Sequence, residues 1–77
     1  MITGDQVSTA RRLLGWSLIR LSGYSGVSDV TIEKFERGKG RLESFAPNIE
    51  AIRRALELGG VEFTHEQPGV KLKAKSR

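Results

Sequence analysis

Charged and apolar side chains recur at helical spacing in the stretch from Gly26 to Gly38. One side of the implied helix is mainly apolar and carries Val27, Ile32 and Phe35, with Thr31 at its edge. The other side presents carboxylates, cations and one apolar side chain: Asp29, Val30, Glu33, Lys34 and Arg37. We interpret this stretch as a helix that inserts into a partner, with its mixed polar side facing outward.

The sequence marks both ends of this helix. Ser28 is a suitable N-cap because its hydroxyl accepts a hydrogen bond from a free backbone N–H of the first turn, and Asp29 complements the positive end of the helix dipole. Gly38 supplies the left-handed residue that ends such helices. A helix of about ten residues is not stable in water without packing. The rest of the chain must therefore brace it.

Residues suited to catalysis are few. The chain has no Cys, so it has no thiolate nucleophile, disulfide framework or Cys-based zinc site. The single histidine, His65, lies in a turn beside Glu66, and this pair makes neither a metal site nor a nucleophile triad. The glycines lack the spacing of a phosphate-binding loop. We expect a protein that is not an enzyme, with no metal, no cofactor and no small-molecule ligand.

Length and charge indicate the number of domains and the kind of partner. The 77 residues make one domain, residues 1–77, near the size at which a single core is marginal. The net charge of +4 favours a polyanionic partner. No apolar run approaches the ~20 residues of a membrane span, and the N-terminus lacks a signal-peptide pattern. These features predict a cytoplasmic protein that does not bind a membrane.

Hydrophobic periodicity predicts four helices, at about residues 4–14, 17–24, 28–37 and 47–58. Thr3 and Gln6 match a capping box at the start of the first helix, and Pro47 suits the first position of the last. From Val61 the period changes to two, which predicts strands at about 61–64 and 70–73, followed by a basic tail at 74–77. The predicted fold class is mostly α, with four helices followed by a short C-terminal β-hairpin.

The predicted hairpin has one apolar face, formed by Val61, Phe63, Val70 and Leu72. A two-stranded hairpin by itself is marginal in water, so this face packs on the helices or against a second copy of the chain. We expect a homodimer with these four residues at its interface. Two geometries are open: strands paired edge to edge, or helix 47–58 packed on its mate.

Three other features each have two interpretations. Trp16 is a core residue or a platform on which bases stack, and we favour the core. Arg11 and Arg12 are solvated charges of a surface helix or contacts to phosphate. The loop from Lys39 to Pro47 is an ordinary polar loop or one that follows a phosphate backbone.

Several motifs together resemble the helix-turn-helix of the phage-repressor (Cro/C1, or XRE) family of small bacterial regulators. The motif itself is carried by Leu21-Ser22, Gly26-Val27-Ser28, Ile32, Phe35-Glu36 and Gly38. Beyond it, the resemblance includes Ile2-Thr3-Gly4, Leu14-Gly15-Trp16-Ser17, the segment from Ala51 to Glu57 and Gly60-Val61-Glu62-Phe63, and it covers about residues 2–72. It implies a four-helix lambda-repressor-like domain that binds double-stranded DNA as a sequence-specific transcriptional regulator. Such a protein would be encoded by a bacterium or a phage and would associate with the nucleoid when bound.

The resemblance also implies which residues contact DNA bases and which contact the phosphate backbone. The base-reading positions are Asp29, Val30 and Lys34, with Thr31 and Glu33 at the margin. The positions expected to hold the phosphate backbone are Ser28, Arg37, Lys39 and Arg41. Glu36 is expected to pair within the domain. Repression is the simplest expectation, by a homodimer on a two-fold operator whose half-sites lie ~34 Å apart.

One pair of residues departs from the family pattern. The family commonly begins its first motif helix with Gln followed by polar residues, whereas this chain has Leu18-Ile19. Both side chains cannot face inward on a helix whose inward residue is Leu21, so we expect at least one to be exposed. Leu18 and Ile19 therefore support a second hypothesis, an adaptor or antagonist that uses the same scaffold to bind a regulatory protein.

Overall fold

The computed structural model describes residues 2–38 and 42–73, and for 42–45 the backbone alone. Within these ranges the chain forms four helices: α1 (Gly4–Leu13), α2 (Leu18–Ser25), α3 (Asp29–Glu36) and α4 (Leu42–Gly59). Two short strands follow, β1 (Val61–Phe63) and β2 (Val70–Leu72). This arrangement confirms the predicted fold class of four helices and a C-terminal hairpin. No helix in the described ranges combines the length and apolar character needed to cross a membrane.

The start of α1 is set by the capping box that the sequence predicts. The Thr3 hydroxyl accepts from the Gln6 backbone N–H at 3.2 Å, and Gln6 Oε1 accepts from the Thr3 N–H at 2.8 Å. The same Gln6 side chain donates from Nε2 to the Gly69 carbonyl at 2.9 Å. One residue thus caps α1 and joins it to the hairpin turn.

The start of α4 differs from the prediction. We expected a helix from Pro47 after a loop, but α4 begins at Leu42 and contains Pro47. A proline lacks the N–H that bonds to the carbonyl four residues earlier. The first four N–H groups of a helix have no carbonyl partner within the helix. Pro47 is the sixth residue of α4, so its missing N–H removes one of the first i→i−4 hydrogen bonds of the helix. Residues 42–46 therefore do not belong to the expected loop, because they lie in α4. Residues 39–41 and the predicted tail of 74–77 lie outside the described residues.

The core lies between the four helices and the hairpin. Its most deeply buried large side chains are Val7, Leu21, Ile32, Ile52, Leu56 and Val61. The strands pair antiparallel, with Val61 opposite Leu72 and Phe63 opposite Val70. Strand β1 packs on α4 and β2 packs on α1. The hairpin thus covers one side of the helices.

This packing changes the predicted dimer interface. Val61 and Val70 are buried in the chain's own core, because the helices cover that face of the hairpin. Phe63 is half-buried against the same core, whereas Leu72 is 52% exposed. Assigning Val61 and Val70 to a dimer interface was therefore wrong for this fold. Phe63 and Leu72 remain accessible.

Candidate nucleic-acid interface

The candidate interface is built on the helix–turn–helix formed by α2, a three-residue turn and α3. Gly26 makes the turn possible because it adopts the left-handed conformation, with φ of 78°, that residues with a side chain rarely adopt. Its N–H donates to the Ser22 carbonyl at 2.9 Å and so closes α2. Val27 is buried, and Ser28 begins α3 as its N-cap. The direction of α3 therefore depends on one glycine, one buried anchor and one cap.

The C-terminal end of α3 is held from behind by a bidentate ion pair. Arg11 Nε donates to Glu36 Oε2 and Arg11 Nη2 donates to Glu36 Oε1, both at 2.9 Å. A third donor of Arg11, Nη1, reaches the Trp16 carbonyl at 3.1 Å. The side chains are only 15% and 9% exposed, and the hydrogen bond to Glu36 raises the pKa of Arg11 above its ordinary value. Glu36 is thus the brace that we expected, while Arg11 is neither solvated nor directed to a phosphate.

A second contact joins α1 to α3. It lies at Gly4 of α1, where the backbone of α3 leaves no room for a side chain. A methyl group at Gly4 would lie 2.1 Å from the Phe35 carbonyl oxygen. The N-terminus of α1 therefore abuts the C-terminus of α3 backbone to backbone. Local residue patterns do not predict this contact, because the two segments are distant in the chain.

The structure brings the predicted base-reading residues onto one outward side of α3. Asp29, Val30 and Lys34 are exposed, the Glu33 side chain is 46% exposed, and Thr31 is half-buried. On the opposite side, Ile32 and Phe35 are buried in the core. The outward side is therefore free of internal packing and accessible to a partner.

Several of these side chains already have partners within α3. The Ser28 hydroxyl accepts from the Thr31 N–H at 3.1 Å and donates to the Thr31 hydroxyl at 2.8 Å. Asp29 Oδ1 accepts from the Val30 N–H at 3.0 Å. By contrast, the Lys34 ammonium has no hydrogen-bond or ion-pair partner among the described residues. Lys34 is therefore the polar side chain best placed to donate to an approaching ligand, while Ser28 would have to release Thr31 to donate to a phosphate.

Of the three predicted cationic phosphate contacts, the structure describes one. Arg37 is exposed at the C-cap of α3, where its Nη2 lies 3.1 Å from Glu33 Oε2. Lys39 and Arg41 lie outside the described residues. Arg37 is thus the one predicted cationic phosphate contact whose environment is described.

The N-terminus of α2 is apolar where the family pattern has a polar residue. Leu18 is half-buried against the core, whereas Ile19 is 73% exposed. Our expectation that at least one of the two would be exposed is confirmed. The next residue, Arg20, is also exposed, so the N-terminus of α2 presents one apolar and one cationic side chain.

Trp16 lies away from this interface and packs on the end of α4. A methyl group at Gly59 would be 2.5 Å from Trp16 Cη2, so the indole ring rests directly on the helix backbone. The ring centroid of Trp16 is 4.7 Å from that of Tyr24. The interpretation of Trp16 as a residue packed against the core is confirmed.

The chemistry of the other polar residues offers no competing site. His65 is exposed beside Glu66 in the segment that joins the strands. Within residues 2–38 and 42–73, no three His, Asp or Glu side chains meet in a way that would hold a metal ion. No protein-family model matches the chain, and a search of curated proteins finds no match. The geometry of α3 is therefore the feature of this protein that bears most directly on its function.

Proposed function

We propose that this protein is a sequence-specific DNA-binding transcriptional regulator of the Cro/C1 type, a repressor that inserts α3 into the major groove. The observation that carries the proposal is the construction of α3. One side is anchored in the core and tied to α1 by the Arg11–Glu36 pair, while the other side is open. A short helix braced in this way is suited to enter a groove without losing its own hydrogen bonds.

The open side of α3 offers groups that distinguish base pairs. The Lys34 ammonium can donate to the acceptors of guanine, and the exposed Val30 side chain can pack on a thymine methyl group. Asp29 keeps one carboxylate oxygen free of the Val30 N–H, and that oxygen can accept from the amino group of cytosine. The three residues together span the first two turns of α3.

The charge on this surface is nearly balanced. The described side chains of α2 and α3 that face it include the cations Arg20, Lys34 and Arg37 and the carboxylates Asp29 and Glu33. Attraction to phosphate is independent of sequence and grows with the number of cations that contact the backbone. A balanced surface attracts any DNA weakly, so base contacts must supply much of the affinity for an operator.

The proposal includes a homodimer on a two-fold operator, because two copies of α3 placed about one helical turn, ~34 Å, apart read two half-sites. Phe63 and Leu72 are the members of the predicted interface that are not buried in the core. The proposed location is the cytoplasm of a bacterium, or of a bacterium that carries the phage genome, on the nucleoid when bound.

The test is a titration of the purified protein against the DNA immediately upstream of its own gene, with scrambled DNA as control. We expect preferential binding to the upstream DNA that persists at physiological salt. Lys34→Ala should weaken that binding and leave binding to scrambled DNA nearly unchanged. Lys71→Ala, which removes an exposed lysine from β2, is the matched control and should affect both DNAs equally. Equal, salt-sensitive binding of both DNAs by the unchanged protein would refute the proposal.

A second candidate function is an adaptor or antagonist that binds a regulatory protein. The observation that favours it is the 73% exposure of Ile19 in the first turn of α2. An apolar protein contact would persist at high salt, whereas DNA binding weakens steeply as counterions are released. If Ile19→Glu abolished capture of a regulatory protein without affecting DNA binding, the second function would be supported.

A further inference from the structure

One ion pair lies on the open side of α3 itself. Arg37 Nη2 and Glu33 Oε2 are 3.1 Å apart, and the two residues are one helical turn apart in sequence. The side chains are 63% and 46% exposed, so both are accessible to a partner. The second carboxylate oxygen, Glu33 Oε1, has no hydrogen-bond partner among the described residues. One carboxylate oxygen of Glu33 is therefore hydrogen-bonded to Arg37, and the other is open to a partner.

The pairing affects what each residue can do at a DNA surface. A carboxylate alone is repelled by phosphates, but it can accept a hydrogen bond from the exocyclic amino group of cytosine in the major groove. A neighbouring guanidinium offsets the repulsion and restricts the rotamers of the carboxylate. Arg37 gives one of its five N–H donors to Glu33, and that donor cannot bind a phosphate at the same time. The pair thus places a carboxylate with one open oxygen on the outward side of α3, beside a guanidinium that offsets its charge.

We propose that Glu33 reads a cytosine amino group through Oε1 and that Arg37 is its positioning residue rather than a phosphate contact. This inference rests on the proposed function and assigns a specificity-determining residue within it. It revises the expectation that Glu33 is marginal to base reading and that Arg37 holds the backbone.

The inference distinguishes two measurable effects of removing Arg37. Loss of a phosphate contact weakens binding to every sequence alike and lowers the slope of log K against log salt by about 0.9. Loss of a positioning residue instead weakens the preference at one base pair and leaves the salt slope nearly unchanged. The two alternatives can therefore be separated without knowing the operator in advance.

The experiment selects bound duplexes from a random library with the full chain and then titrates the selected duplex and its single-base variants at several salt concentrations. The variants are Glu33→Gln, Arg37→Gln and Arg37→Lys. Arg54→Gln is the matched control, because Arg54 is also exposed and lies one helical turn from a glutamate, but on α4. Circular dichroism of each variant establishes that its helices are intact.

We expect Arg37→Gln to reduce the preference for one cytosine by about twofold, the size expected for an exposed ion pair one turn apart on a helix. Glu33→Gln should change the preference at the same base pair, toward adenine, because an amide can both donate to and accept from that base. Arg37→Lys should restore part of the preference, since Glu and Lys at this spacing also pair. Arg54→Gln should leave every preference unchanged.

Two outcomes would count against the inference. A uniform loss of affinity in Arg37→Gln, with the smaller salt slope, would overturn it and identify Arg37 as a phosphate contact while leaving the proposed function intact. Failure of the unchanged protein to enrich any sequence would overturn the proposed function and this inference together.

Discussion

The Arg11–Glu36 pair gives the most specific prediction about how α3 is held. The perturbation is Arg11→Met, which keeps much of the side-chain volume but leaves the Glu36 carboxylate, 9% exposed, without its bidentate partner. It also removes the donor to the Trp16 carbonyl. Two charge-assisted hydrogen bonds and one to a carbonyl are lost at a single position.

The magnitude follows from the burial of the pair. Removing one partner of a buried ion pair costs ~3–5 kcal/mol because the other charge is left uncompensated. The Arg11 side chain keeps 15% exposure, so water can reach the site and we expect the low end, about 3 kcal/mol. A domain of this size unfolds at a temperature roughly 4–8 °C lower for each kcal/mol lost. The variant should therefore unfold at least about 12 °C below the unchanged protein.

The assay is urea unfolding followed by circular dichroism, with three comparisons. Arg54→Met removes an exposed arginine and should cost less than about 1 kcal/mol, the usual value for a surface ion pair. The double variant Arg11→Met with Glu36→Leu should be more stable than Arg11→Met alone, because no buried charge remains.

The pKa of Arg11 is raised in the folded protein. The stability that its protonation contributes is therefore fully present below the unfolded-state pKa and is lost only as pH rises through the folded-state pKa. The Arg11 contribution should therefore be constant near neutral pH, and a cost below about 1 kcal/mol for Arg11→Met would refute the reasoning.

Three further predictions concern close contacts and the dimer. Gly4→Ala should destabilise the fold by about 2 kcal/mol in urea unfolding, because its methyl would overlap the Phe35 carbonyl and force α1 from α3; an unchanged midpoint would contradict this. Gly59→Ala should displace the Trp16 ring and shift its fluorescence emission to longer wavelength, whereas an unchanged spectrum would show that the ring does not depend on that contact. Leu72→Glu should convert the proposed dimer to a monomer in sedimentation velocity, and a variant that sediments as the unchanged protein would remove Leu72 from the interface.

Features that depend on neighbouring residues could be read from the sequence. The capping box at Thr3 and Gln6 forms as expected, and Ser28 caps α3 as expected. The left-handed conformation predicted for Gly38, with φ of 72°, and the antiparallel hairpin also follow from local patterns. Each of these features depends on a hydrogen bond or a backbone preference within a few residues, which is the range over which residue type and spacing decide conformation.

The start of α4 shows where local rules fail. The preference of proline for the first position of a helix predicted a start at Pro47, yet the helix begins at Leu42. The preference arises because a missing N–H costs nothing in the first turn, whereas at the sixth position of α4 one backbone hydrogen bond is lost and the fold accommodates that loss. The preference of proline for the first position of a helix therefore cannot locate the start of a helix when packing within the fold contributes more free energy.

Tertiary packing alone decided that Arg11 is the partner of Glu36 and which hairpin residues are available to a partner. Arg11 and Glu36 are 25 positions apart, and nothing in their spacing pairs them. Val61 and Leu72 lie opposite each other in the hairpin, but only Val61 is buried, because burial depends on where the helices lie rather than on alternation along a strand. Contacts between distant segments depend on the shape of the assembled core, and a local pattern of residue types does not contain that shape.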